Sequence, residues 1–307
     1  MLHSVPRRGP PQANSGAAPG RLSVFPRETL AVVAGTGLTG RRRMPLPDIL
    51  LEDDDLVAFD KPSGLPVSPG PADRMAKASL LGLARPRYGD ALAAVHRLDT
   101  EASGVVLCAK TKSALDSLSG QFQSKTVRKV QLAMAVVEPV DPAVPPPAGT
   151  RGAAGPLAAE FTVDLDIGPD TTAPGRSRIY RRKGGKPGLT TFRVLETFGR
   201  FAWLECRPLT GRTHQVRVHL AAVGAPVLGD PLYGDAGVKL LLSDFKRGYK
   251  GREGERPLIG RLALHGSLLG FTHPGTRAPV EVVAPLPREF EVALRNLRKY
   301  AWSGPRA

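Results

Sequence analysis

A chain of 307 residues with 41% hydrophobic content is long enough to bury a full core as one large domain or two small ones. Its 43 Lys and Arg against 28 Asp and Glu leave a net charge of +15, which favours a polyanionic partner, nucleic acid first. There is no run of eighteen apolar residues, no apolar leader at the N-terminus, and the two cysteines, Cys108 and Cys206, each sit in an apolar stretch. Together these argue against membrane spanning, a secretory signal and a disulfide framework, so a cytoplasmic protein is expected.

Residues 1–45 contain seven arginines and one acid, Glu28, among Gly, Pro, Ala and Ser. That mixture cannot bury enough apolar surface to offset ordering, so it reads as a flexible basic arm ahead of a folded domain over 46–307. Folded structure is expected from about Ile49, with a strand at Leu56–Phe59 and a Pro/Gly turn after it. Val105–Ala109 reads as a second short strand, preceded by a polar loop at Asp99–Gly104. Ser113 is the expected cap of a helix whose Leu115, Leu118 and Phe122 share a face. Val130, Leu132, Met134 and Val136 alternate with Gln131, Ala133 and Ala135, which predicts a strand with one face in the core.

Residues 138–157, rich in Pro, Ala and Gly, read as a surface loop insertion. Strands are expected at Phe161–Ile167, Thr190–Thr197 and Phe201–Arg207. Thr213 can cap a helix running to Gly224, although Val216, Val218 and Leu220 also alternate as in a strand; the stop signals favour the helix. The charged, Gly-rich stretch 235–257 reads as a second insertion. Phe290, Ala293, Leu294, Leu297 and Ala301 recur at helical spacing and predict a closing amphipathic helix. Many strands with few long helices point to an α+β fold with a mainly antiparallel sheet.

Four stretches set polar groups among apolar ones: Asp60–Pro66, His96–Gly104, Pro208–His219 and Arg261–His265. In the second, Asp99 lies in a loop beside His96 and Arg97. A neighbouring cation favours the charged carboxylate, and a charged aspartate can act as a nucleophile; the plainer alternative is a turn aspartate capping an amide. The third crowds Arg212, His214, Gln215 and Arg217 into a few residues, either as a donor cluster or as the charged face of a surface helix. His214 and His219 are five apart and do not share a helical face, no acid stands at ligand spacing, and no G-x-S-x-G elbow occurs. A metal centre or a serine hydrolase is therefore not expected.

Taken in this order, the four stretches resemble the ribosomal-large-subunit (RluA) type of pseudouridine synthases over about residues 49–290. The resemblance is carried by HRLDTEASGVVLCAK, by GRTHQVRVHL followed by GDPLYG, by DKPSGL at Asp60–Leu65 and by Arg261–His265 with Phe271–Pro274. It implies a pseudouridine synthase fold, mainly antiparallel with flanking helices and a central catalytic cleft. It further implies isomerisation of uridine to pseudouridine in structured RNA, ribosomal or transfer, with no cofactor, no metal and no obligate protein partner; a monomer is expected.

Carried over by position, the resemblance implies that Asp99 attacks the target uridine, at the sugar or at the base ring. It implies that Arg217 pairs with Asp99 through a bidentate contact and that Arg97 helps hold the RNA open. His96, Gln131, Arg212, His214 and Gln215 are the expected substrate contacts. The family's usual K-x-Y-x-A is here Lys129-Val-Gln-Leu-Ala133, so Gln131 replaces a tyrosine that lies against the target base, and Ala102 replaces a threonine. The first change leaves open a second reading, a catalytically impaired member that binds RNA as a chaperone or assembly factor.

Overall fold

The structure, a computed structural model, describes residues 44–69, 79–141, 143–152, 155–180 and 184–301. The basic arm expected over 1–45 lies, up to Arg43, outside the described residues. The elements in chain order are β1 (Ile49–Glu52), β2 (Leu56–Lys61), α1 (Leu80–Tyr88), β3 (Ala93–Ala94), β4 (Ser103–Ala109), α2 (Lys112–Gln123) and β5 (Arg128–Val136). They continue with β6 (Glu160–Asp164), β7 (Asp166–Pro169), β8 (Ser177–Tyr180), β9 (Leu189–Phe198), β10 (Phe201–Pro208), α3 (Gln215–Ala222), β11 (Leu264–Thr272), β12 (Pro279–Val283) and α4 (Arg288–Tyr300).

Among the described residues ten strands form one sheet in the order β1-β2-β4-β11-β5-β10-β9-β6, with β12 also on β11 and β3 also on β4. Every pairing in it is antiparallel except β4 with β11, which run parallel through Ser103↔His265 and Gly104↔Gly266. Among the described residues this is the expected α+β architecture, a mixed and mostly antiparallel sheet with four α-helices.

β2 is apolar at successive positions because both of its faces are covered. Val57 and Phe59 join Val106, Cys108 and the α1 residues Leu80 and Ala84, while Leu56 and Ala58 join Val105, Leu107 and Leu118 of α2. The larger core packs β5, β9 and β10 against α3 and α4, with the Trp203 and Phe290 rings 5.9 Å apart.

Three local expectations about α2 and the strands differ from the structure. Thr111, not Ser113, caps α2: Thr111 is extended and its Oγ1 accepts from the Ala114 amide at 3.1 Å, whereas Ser113 already lies in the first turn. β5 is buried on both faces from Ala133 to Val136, so its small residues mark tight packing and not a solvent side. Phe161–Ile167 is two strands. Leu165 donates to the Gly188 carbonyl, and the chain after it leaves the main sheet to pair as β7 with β8.

Among the described residues of 138–157 and 235–257, the former holds only an Arg151–Leu157 bridge and the latter a single 3-10 turn at Leu242–Asp244. No described helix is long and apolar enough to cross a membrane.

Candidate active site

Asp99 sits on the loop between β3 and β4, and the sheet delivers that loop to its own centre. Gly104 has φ +120, and a Cβ there would stand 2.1 Å from the Gly266 carbonyl oxygen. Only glycine lets β4 and β11 approach this closely. The start of β4, and the loop ahead of it, are thereby held against β11.

A second clamp comes from β2. Lys61, fully buried, shares the three N–H groups of its Nζ among the carbonyls of Pro62 (2.9 Å), Leu65 (2.7 Å), Thr100 (3.1 Å) and Ala102 (2.6 Å). The last two flank Glu101, and Thr100 directly follows Asp99. Burial pulls the Lys61 pKa down to about 8, against the opposing charges of Asp99 and Glu101.

Arg217 rises from the middle of α3 and is 1% exposed. Its Nε and Nη2 each donate to the Asp230 carboxylate at 2.7 Å, and Nη1 reaches Asp99 Oδ2 at 3.2 Å. Glu101 lies at 3.7 Å from the same Nη1. The bidentate partner is therefore Asp230, and Asp99 receives one contact, unlike the expectation of a bidentate Arg217–Asp99 pair. Asp230 is itself anchored by the amides of Leu232 and Tyr233. Burial works against the guanidinium charge, but the Asp230 hydrogen bonds and the charges of Asp230 and Asp99 raise its pKa above the ordinary arginine value. Asp99 keeps 16% of its side chain exposed, open to the cleft in front of it.

That cleft encloses about 450 Å³, inside the roughly 300–1,000 Å³ usual for a small-molecule-sized group. His96, Arg97, Asp99, Gln131, Arg212, His214, Gln215 and Arg217 all line it, so the sequence candidates converge on one site. Their hydrogen bonding separates them.

Gln215 is fully engaged with protein. Its Oε1 accepts from Thr210 Oγ1 and the Arg212 amide, and its Nε2 donates to Leu189 O and Thr190 Oγ1. No donor remains for a substrate. His96 Nε2 accepts from the Leu107 amide, its ring stacks on Phe122 at 5.2 Å, and burial pulls its pKa down to about 4, so it is neutral. Gln131 leaves its Oε1 buried without a partner at the cleft wall.

Arg97 and Lys125 are exposed at the rim, and Arg212, also lining the cleft, donates to the Pro187 carbonyl. α3 begins at Gln215 with no side-chain cap. Thr213 does not cap it, because His214 takes the preceding position in the left-handed region at φ 56, ψ 23. The His214 Nδ1 lies 2.9 Å from the Tyr233 hydroxyl, which accepts from the Ser177 amide at 2.7 Å.

Asp230, Tyr233 and Lys61 were not singled out from sequence. Asp230 and Tyr233 belong to GDPLYG, where one acid in an apolar run was the available signal; Lys61 lies just past the expected strand Leu56–Phe59, and its only signal was its place in the Asp60–Pro66 stretch. Among the described residues no three His, Cys, Asp or Glu side chains converge as a metal-binding group.

A half-open carboxylate backed by a buried guanidinium, in a cleft with a cationic rim, fits an enzyme that acts on one unit of a nucleic acid. Comparison with known proteins gives the class a family. Residues 55–222 match the family described as RNA pseudouridylate synthase. The chain is 34% identical to the ribosomal large subunit pseudouridine synthase D of Xanthomonas campestris, over 82% of this chain and 70% of that protein. It is 33% identical to the ribosomal large subunit pseudouridine synthase C of Vibrio vulnificus, over 81% and 69%. Among solved structures, human RNA pseudouridylate synthase domain containing 4 superposes with a TM-score of 0.59 at 28% identity, covering 81% of this chain and 92% of that one. The chain belongs to the RNA pseudouridine synthase family and is an isomerase acting on RNA.

Proposed function

We propose that residues 46–307 form a catalytic domain that isomerises uridine in large-subunit ribosomal RNA, with Asp99 as nucleophile and Arg217 as the residue that orients it. The ribosomal substrate is supported by the names of the relatives, which are large-subunit enzymes. The observation that carries the assignment of Asp99 is its position at the end of the Asp230–Arg217 chain, with one carboxylate oxygen on the guanidinium and the side chain open to the cleft.

A stacked uridine cannot bring C1′ or C5 to that oxygen, so the target nucleotide leaves the helix and enters the cleft. Arg97 and Lys125 at the rim bind the phosphates on either side of it, and the excess of positive charge draws the RNA in. Gln131 replaces stacking on the base with an amide that can bond a uracil edge. The glycosidic C–N bond breaks, the base turns, and C5 joins C1′; no electrons enter or leave.

The experiment is release of tritium from RNA labelled at uridine C5, with ribosomal and transfer RNA from cells lacking the gene offered separately. Release from ribosomal RNA alone is the expected result. Release from transfer RNA alone overturns the substrate, and tight binding of both without release overturns the activity.

A further inference from the structure

We infer that His214 is the base that removes the C5 proton in the last step of the isomerisation; this rests on the proposed function above. Once C1′ is bonded to C5, that carbon still carries its hydrogen. The C5–H bond must break, its electron pair forming the C5=C6 double bond while the C6=N1 pair withdraws to N1. The released proton needs an acceptor, and N1 gains a proton in return, so the sum is a transfer from C5 to N1. The need is the same whether Asp99 first attacks the sugar or the ring.

Few groups in the cleft can serve. The guanidinium groups stay protonated, and Asp99 faces Arg217 as nucleophile. Lys129 donates to the Thr210 carbonyl and, even with burial lowering its pKa to about 8, is mostly a cation at neutral pH. The Nε2 of His96 is taken by the Leu107 amide. Gln131 has no titratable proton.

His214 differs on each count. It lines the cleft, and its backbone is held at φ 56, a conformation uncommon for a residue with a side chain and concentrated at functional sites. Tyr233 fixes the ring from the Nδ1 side, while Nε2 has no hydrogen-bond partner among the described residues and is not among the buried, closed-off atoms. The step uses the tautomer in which the Tyr233 oxygen accepts from both the Ser177 amide and Nδ1–H, which leaves the free lone pair on Nε2. The same Tyr233 ring lies 5.3 Å from the Arg217 guanidinium, so the base and the support of the nucleophile share one scaffold. Burial, with Arg217 close by, keeps the imidazole neutral against the pull of Asp99.

The test uses the full chain in single turnover on RNA carrying protium or deuterium at uridine C5. In His214→Asn, whose side chain also tolerates the left-handed region, the rate is expected to fall about 10²–10⁴-fold. A primary deuterium isotope effect larger than that of the wild type should accompany the fall. In His214→Gly, added imidazole is expected to restore part of the lost rate, which a merely structural role would not allow. A His214→Asn rate equal to wild type, or a slowed rate with no increase in isotope effect, overturns the inference while leaving the enzyme assignment intact. A wild-type protein that forms no pseudouridine overturns both.

Discussion

At the scale of residues, Arg217 serves two carboxylates with different duties. Asp230 holds it in place at 2.7 Å through two nitrogens, and Asp99 uses the third at 3.2 Å. Asp230→Asn keeps the shape but takes from the buried guanidinium its closest anion, leaving Asp99 at 3.2 Å and the more exposed Glu101 at 3.7 Å, both on Nη1. Breaking a buried pair in this way costs about 3–5 kcal/mol. The expected result is a urea midpoint lowered accordingly and a slower single-turnover rate on RNA; a lowered midpoint with an unchanged rate would mean that Asp230 supports the fold alone.

Gln131→Tyr tests the other departure at this scale. A ring at this wall adds base stacking of about 1–3 kcal/mol, so affinity for substrate RNA is expected to rise. An unchanged or weaker affinity would indicate a cleft rebuilt around the amide. The pairing of Asp99 with Arg217 was legible in sequence because both lie in long motifs. The engagement of Gln215 with Thr210, Thr190 and Leu189 was not, since its partners lie up to 26 positions away and only the fold brings them together.

At the scale of elements, the site depends on one short parallel contact. β4 and β11 touch at Ser103–Gly104 and His265–Gly266, and the Asp99 loop hangs from that junction. Gly104→Ala puts a methyl group 2.1 Å from the Gly266 oxygen on a backbone at φ +120. The strands must separate, at a cost of about 3 kcal/mol or more, and Asp99 moves with them. Equilibrium denaturation is expected to register the loss, together with reduced activity in whatever protein remains folded; a fully stable Gly104→Ala protein would contradict the seam.

Strands such as β2, β9 and β10 were readable from apolar runs, and α4 from its helical spacing. The cap of α2 and the division of Phe161–Ile167 were not. The first turned on whether Thr111 or Ser113 is the extended residue, and the second on a contact between Leu165 and Gly188 that no local pattern encodes.

At the scale of the whole molecule, buried neutral histidines tie stability to pH. His219 and His265 are fully buried, and burial lowers each pKa to about 4 from an ordinary 6.5. Between these values the unfolded chain binds protons that the folded chain refuses. Their contribution is therefore complete above about pH 6.5 and is lost as pH falls through about 4, with a slope of up to about 2.7 kcal/mol per pH unit for the two. Urea midpoints are expected to drop across that window and to hold steady just above it; a flat midpoint from pH 7 to 4 would contradict the burial of both rings.

The positive charge that pointed to nucleic acid belongs to the whole chain, whereas the chemistry converges on a few side chains, and the carboxylate of Asp99 is where the two meet. The direct measurement is pseudouridine formed per protein molecule by wild type and by Asp99→Asn on the same RNA, with binding measured alongside. The expected result is product from the wild type, none from Asp99→Asn, and nearly equal RNA affinity, since the substitution keeps the shape and removes the nucleophilic oxygen. Product formation by Asp99→Asn at a rate near wild type would contradict the assignment.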